Sequence, residues 1–445
     1  MPAAPSLLIV PYRSKTGKLY SQIPTSGAGD FTVTRDTTAR RFTSAGLIAS
    51  VASGIPRLDY LTSGGTAGCP ALLVEPAATN SILQSTDSAS GWTLSNSMTR
   101  ATIDVIGVSG VNLTVGTSGS IGSTGSRYTS PLLTPALNLA SGSTYTISFF
   151  LKKTTTHTIG GYYATIGGAA AGDLGGGFDV SGSFSSGSIY NSALTTNRIR
   201  RVERWGTDVF RCSETFTMTA SGTIERINLG VLTAVNSTTV APTGTTMGFA
   251  APQLELGSVP TSFIPTTAGT GSRSADVVSV SGAVSGSIGQ TQGTIYCEFA
   301  YFGQPVLRTG PIFLRSGAFR GFAIGLGLAD VASTGIRFSS RNNTATINVP
   351  LVSGALQLGT YYKVAIGYDA GATPAGGAQA SGVVTYVNGV QAGIGTLQVP
   401  DTAITEIRMY GANTTTEDEA FNGRIRAVAL YNTRLTNAEL AALTA

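Results

Sequence analysis

Three tyrosines and an asparagine pose the first chemical question of this 445-residue chain. Tyr162 and Tyr163 stand side by side in the glycine-flanked GGYYATIGG, and Tyr190 is followed by Asn191. An aromatic face covers the apolar side of a pyranose ring, while an amide or carboxylate beside it satisfies the hydroxyls. That combination points to saccharide contact. If the tyrosine pair lies on a strand, alternation sends one ring inward and one outward, leaving one of them as the contact. Trp92 and Trp205 have the same ring chemistry but suit a core, because large aromatics fill sandwich interiors.

Other chemistries find less support. Asp59 and Glu75 would make an acid/base pair only if their carboxyls lay ~5–9 Å apart, as glycoside hydrolysis requires. The competing reading pairs them with arginines such as Arg57 or Arg35 at a turn, since buried carboxylates are usually paired. The single histidine, His157 in KKTTTHTIGG, has no GxSxG elbow to partner it. No enzymatic activity is expected. Cys69, Cys212 and Cys297 are far apart and odd in number, with no CxxC pair, so buried free thiols are expected rather than disulfides or zinc.

Composition narrows the class. Charged residues are 11% of the chain against ~25% in an average soluble protein, so Ser, Thr, Asn and Gly must cover the surface. The net charge is +5, and Arg198–Arg204 is the only basic run of note. Nucleic-acid binding, which needs a concentrated basic face, is not expected. Leu7–Val10 is too short for a signal-peptide core, and no 18-residue apolar span occurs. These features predict a chain made in a cytoplasm, without a signal peptide or membrane insertion.

Strands must position these residues. Fifty-seven glycines and many Ser/Thr runs predict frequent tight turns. The fold class expected is all-β: a small N-terminal β region followed by two antiparallel β-sandwiches of jelly-roll type, with one short C-terminal helix. The boundaries fall at 1–80, 81–270 and 276–445, with the last linker near Ala268–Ser274. Pro260 and Pro265 mark strand ends or edges. In the second unit, Thr144–Thr154, Asp208–Ser221 and Thr223–Leu232 alternate as strands. In the third, Asn388-Gly389 between VVTYV and VQAGI predicts a type I′ hairpin. Thr436 with Glu439 forms a capping box for a helix over Thr436–Leu443.

Two sets of motifs carry a resemblance. Pro56–Tyr60 and Leu72–Pro76 upstream, then Trp205 with Phe210–Ser213, Gln253–Glu255, Pro260–Thr266 and Arg273–Asp276, resemble segments of structural proteins of tailed bacteriophages. The Tyr-x-Val-x-Ile strand, the Val-Asn-Gly hairpin, the Gly-Arg-Ile strand and the final Leu-Thr-x-x-Glu-Leu helix resemble the laminin-G / concanavalin A-like fold. The resemblance implies a virion surface protein (a fibre, spike or decoration subunit) attached to other virion proteins through residues 1–80. It also implies a homotrimer and binding of host surface glycans. Its alternatives are a purely architectural decoration or collar subunit and a polysaccharide depolymerase. Members of the concanavalin A-like fold that bind calcium do so through loop oxygens, which makes Glu417, Asp418 and Glu419 in Thr416–Ala420 the acidic candidates here. A solvated loop is the competing reading, and no other cofactor is expected.

Overall fold

The computed structural model describes residues 4–60, 62–63, 66–86, 91–117, 119–121, 127–130, 136–167, 172–182, 184–190, 193–303, 309–316, 320–328, 331–353, 356–371, 382–410 and 421–445. All of its extended sheets are antiparallel and are arranged as two sandwiches, and one short helix closes the chain. The expected all-β class therefore holds.

The middle sandwich begins and ends inside the chain. Its six-stranded sheet runs in the order Thr99–Val105, Val108–Thr114, Thr246–Leu256, Thr144–Lys152, Val209–Met218, Thr195–Arg204. The facing sheet is centred on Gly222–Val231, Ile159–Gly167 and Gly172–Asp179, with Ser186–Tyr190 at one edge. Phe149, Tyr162, Phe178 and Phe249 meet between the sheets with ring centroids 5.6–6.3 Å from Phe149. Offset and edge-on ring packing of this kind supports a dense apolar core. Pro252 sits inside Thr246–Leu256, where no ladder should accept it. The strand answers with a bulge: Ser148 faces Gln253 and Phe150 faces Ala250, and Ala251 takes φ 50°.

The C-terminal sandwich is built from both ends of the chain. Its first sheet runs Val390–Gly395, Val383–Val387, Tyr361–Asp369, Gln292–Tyr301, Gly423–Tyr431, Ala71–Val74, Leu58–Asp59, with Leu7–Ile9 added to Gly423–Tyr431. Its second sheet places Phe31–Thr34 beside Val277–Ser281, then continues through Glu406–Tyr410 to Thr346–Val352. Leu7, Phe31, Leu72 and Val74 share one buried core with Phe299, Phe338 and Tyr368. The sequence reading sets 1–80 apart as its own region; in the structure its strands Leu7–Ile9, Phe31–Thr34 and Ala71–Val74 hydrogen-bond into the sandwich at the far end of the chain. The middle sandwich is thus an insertion into the other one. The chain leaves along Ala78–Asn80 and returns along Gly271–Arg273, and these two short strands pair with each other as a neck.

Local signals of the C-terminal sandwich behave as the sequence predicts. Asn388 and Gly389 take φ 47° and 83°, with Val387 opposite Val390, which is the geometry a two-residue I′ turn needs. The helix spans Asn437–Thr444, with Thr436 and Glu439 closing both halves of the capping box. Among the described residues, no helix is long and apolar enough to cross a membrane.

Candidate functional site

At the neck the chain buries charge. Arg57, fully buried, donates to Glu75 Oε2 at 2.5 Å and to both oxygens of Asp276. Arg35 donates to Asp276 Oδ1 at 3.0 Å, and Arg273 donates to Glu75 Oε2 at 2.9 Å. Ser262 completes the set: its N–H donates to Glu75 Oε1 at 2.7 Å and its hydroxyl to Oε2 at 2.6 Å. Three guanidiniums and two carboxylates thus tie residues before the inserted sandwich to residues after it. Burial alone would raise the Glu75 carboxyl, but the Arg273 and Arg57 charges outweigh it and hold the group well below the carboxylate range. Next to this clasp, Glu255 accepts from the Thr261 N–H at 3.0 Å, the Thr261 hydroxyl at 2.5 Å and the Gln253 amide at 2.5 Å. There burial wins, and the Glu255 carboxyl is pushed up.

These are the motif residues. Arg57, Glu75, Gln253, Glu255, Thr261, Ser262, Arg273 and Asp276 lie up to 219 positions apart in the chain, yet they form one polar network. Their order and spacing record the closing of the neck. The sequence reading was right that Glu75 pairs with Arg57 and overlooked the second partner, Arg273. Asp59 instead pairs with Arg424 at 2.5 Å and accepts the Phe42 N–H.

Beside the clasp lies a cleft of about 280 Å³ between the two sandwiches. Arg201, Glu203, Trp205 and Arg211 line it from the middle sandwich, and Arg40 and Phe42 from the N-terminal segment. Phe302, Thr360 and Arg424 close it from the C-terminal sandwich. The hairpin of Ala39–Phe42 and Ile48–Val51 reaches it because Phe42 and Ile48 pack on Val105, Val108 and Phe150, on the outer face of the middle sandwich. Trp205 lies half-buried with its ring 4.3 Å from Phe42 and 5.5 Å from Phe150, while the Arg211 guanidinium sits 5.7 Å over it. The Arg424 guanidinium lies 4.6 Å over Phe302. The expectation that Trp205 is core holds for Phe42 and Phe150 only; the rest of the ring faces the cleft.

The tyrosine candidates lie elsewhere and do not form an open site. Tyr162 is 0% exposed, packed on Phe149 between the sheets and set beside Glu214. Burial and that carboxylate push its phenol well up, and no sugar reaches it. Tyr163 points to the other face, as alternation requires, but is only 8% exposed. Its hydroxyl meets Thr165 at 2.7 Å and Asp173 at 3.0 Å, and its ring lies 5.1 Å from half-buried Tyr190. Asn191 lies outside the described residues, as do Glu417, Asp418 and Glu419. Gly176, opposite Tyr162 on the neighbouring strand, leaves room for the buried ring. An added Cβ there would run into Glu214 and the Tyr162 ring. Arg198 and Arg200 then reach across the sandwich edge to Glu214, Arg200 at 2.8 Å.

Other candidates resolve simply. His157 Nε2 lies 2.9 Å from the Ile159 carbonyl, in a local turn. Trp92 is buried and stacks 4.9 Å from Tyr128. Cys212 and Cys297 are buried free thiols, as expected, whereas Cys69 is exposed. Among the described residues, no group of three His, Cys, Asp or Glu is placed to hold a metal ion.

Comparison with known proteins gives a family for one part of the chain. Residues 303–441 match the model of the concanavalin A-like lectin/glucanases superfamily, of the laminin-G type. This stretch is similar to a concanavalin A-like lectin/glucanase domain, and strands from residues 7–74 join the same two sheets. No curated protein matches the chain in sequence. Among solved structures, domain 4 of the Geobacillus stearothermophilus arabinanase AbnA, in complex with arabinotriose, is similar at 16% identity over 38% of this chain and 73% of that one, with a TM-score of 0.29. The tandem CBM22 modules of Paenibacillus barcinonensis Xyn10C are similar at 10% identity over 80% and 97%, with a TM-score of 0.23. Trypanosoma rangeli sialidase in complex with sialic acid gives 8% identity over 93% and 77%, with a TM-score of 0.28. Overlaps this loose carry no functional argument.

Proposed function

We propose that this chain is a non-enzymatic, carbohydrate-binding structural protein of a tailed-phage particle, a fibre, spike or decoration subunit displayed on its surface. The observation that carries the reading is the pairing of a lectin-type domain with an inserted sandwich, locked at a neck built from the phage-like motif residues. Two modules joined by buried ion pairs suit display, because the clasp ties the inserted module to the other one. The cleft between the modules is the candidate sugar site, and it replaces the Tyr162 and Tyr163 site of the sequence reading. The same geometry argues against hydrolysis there. Glu75 and Asp59 are each held in buried ion pairs, and the Arg273 and Arg57 charges that hold the Glu75 carboxyl below its ordinary range make it a poor proton donor to a leaving group. Glu203 is the remaining carboxylate of the cleft.

Trimer formation belongs to this proposal. Val390–Gly395 is an edge strand with Val390 68% exposed and Ile394 42% exposed, and unpaired apolar edges are commonly covered by symmetry copies. Light scattering on the purified chain reads the mass directly, and a monomer at micromolar concentration would remove the trimer from the reading. The sugar-binding part is tested on a glycan array and on host lipopolysaccharide and capsule, with reducing-end release followed in the same samples. Saturable binding without release is the expected outcome. Release would make the protein a depolymerase, and absence of binding to any polymer would leave an architectural subunit.

A further inference from the structure

The cleft holds an imbalance of charge that the fold does not resolve. Six arginines line it against three carboxylates. Asp59 is taken by Arg424, and Glu75 by Arg57 and Arg273 from outside the cleft. Arg211 donates through one amino group to the Ser148 hydroxyl and the Thr261 carbonyl, Arg41 to the Leu58 carbonyl, and Arg204 to the carbonyls of Gly206 and Thr207. Two guanidiniums remain. Arg40 and Arg201 are half-buried, and among the described residues neither has an ion pair or a side-chain hydrogen bond. Arg201 feels the Glu203 carboxylate at a distance, but that group is the acceptor for the Trp205 indole N–H at 3.4 Å. Burial lowers the pKa of both arginines, which marks a cationic site that an anion would relieve.

The ring faces are also informative. Trp205 is covered by Phe42, Phe150 and Arg211, and Phe302 by Arg424. The cleft therefore has its aromatic rings partly covered by neighbouring side chains. It offers guanidinium N–H groups over an apolar floor, in a volume close to the ~300 Å³ lower end of ligand clefts. A guanidinium fork matches a carboxylate in two parallel hydrogen bonds, better than it matches a neutral hydroxyl.

We propose that the junction cleft binds the carboxylate of a uronate-bearing polysaccharide, with Arg201 and Arg40 as its counter-charges. This rests on the carbohydrate-binding reading above and adds the sign of the ligand's charge and the place where it sits. One uronate unit enters between the modules, and the rest of the polymer runs out over the surface.

Calorimetric titration of the full chain with oligogalacturonate, with its methyl ester and with inorganic sulfate tests the proposal. The acid form is expected to bind about tenfold tighter than the ester, and Arg201→Gln and Arg40→Gln are each expected to weaken it by about tenfold, the size of one charged hydrogen bond. Raising the salt concentration should weaken the wild type more than either variant. Arg226→Gln, an exposed arginine of the Gly222–Val231 strand outside the cleft, should bind like the wild type. Unchanged affinity in both cleft variants, with melting temperatures held, overturns the proposal, as does sulfate binding as well as the oligosaccharide. Equal binding of acid and ester overturns the charge assignment and leaves the sugar reading standing. Failure to bind any saccharide removes both.

Discussion

The neck and the cleft adjoin each other and use the same side chain for opposite ends. At the neck, Arg35, Arg57 and Arg273 are at most 2% exposed and meet Glu75 and Asp276 in bonded pairs. In the cleft, Arg40 and Arg201 are half-buried and meet no carboxylate among the described residues. Removing solvent from a charge is costly, so a fully buried arginine persists only where its partners come with it. A half-buried one can keep water on one side and wait for an anion. The difference teaches that arginines at one junction divide into two populations, those bonded to carboxylates, which close the fold, and those without an ion pair, Arg40 and Arg201 among them.

The largest effect should come from the closed population. Arg57→Ala leaves Glu75 and Asp276 each short of a counter-charge, and breaking a buried pair from one side costs ~3–5 kcal/mol. Because Arg57 spans segments before and after the inserted sandwich, the loss should loosen the neck and make the junction unfold at lower denaturant. Urea unfolding followed by tryptophan fluorescence checks this, since Trp205 lies at the junction and Trp92 deep in the insert. An unchanged midpoint would mean the clasp is not what holds the neck.

Acid should find the same residues. The Glu75 carboxyl is depressed in the folded chain below its ordinary 4.5. Its contribution to stability is therefore fully present above about pH 4.5 and is lost as the pH falls toward the folded value. Glu255 has the opposite sign. Its carboxyl is raised by burial, so it favours the folded state at low pH and withdraws that support as the pH rises through the raised value. Thermal melts between pH 3 and pH 7 should thus fall on the acid side for the wild type, and Glu75→Gln should flatten that fall. A variant with the wild-type acid slope would show that another carboxylate governs it.

Most of the fold was legible because strands announce themselves locally. The Asn388-Gly389 turn, the Thr436–Glu439 box and the alternating runs of the last unit each follow from neighbours in sequence. What the sequence could not show is that Leu7–Ile9 adds to Gly423–Tyr431, a pairing across more than 400 positions. A strand alternates in the same way whichever partner it has, so periodicity alone assigns residues 1–80 to no particular sheet. The burial of Tyr162 and Tyr163 escaped the sequence for a related reason. Adjacent tyrosines guarantee that their rings face opposite sides of a sheet but not that the outer side is open, and Tyr163 is covered by Tyr190 and Asp173. The cleft arginines drew no attention because Arg40 and Arg201 lie 161 positions apart, within ordinary alternating strands. One signal was available: Glu75, Arg57 and Arg35 offered opposite charges without any catalytic spacing, which is what a buried structural network requires.

The smallest expected effect is the one that separates the two populations. Tyr162→Phe removes a phenol from the sealed interior of the insert, so it should leave saccharide affinity untouched while altering only the melting temperature. Arg201→Gln should do the reverse. Its guanidinium makes no ion pair or hydrogen bond among the described residues and feels the Glu203 carboxylate only at a distance, so neutralising it should cost far less than breaking a bonded buried pair. Measured by urea unfolding, its midpoint should match the wild type within error while its affinity for an acidic saccharide falls. A drop in stability comparable to that of Arg57→Ala would place Arg201 with the neck, because only an arginine already engaged in holding the fold can cost that much when it is neutralised.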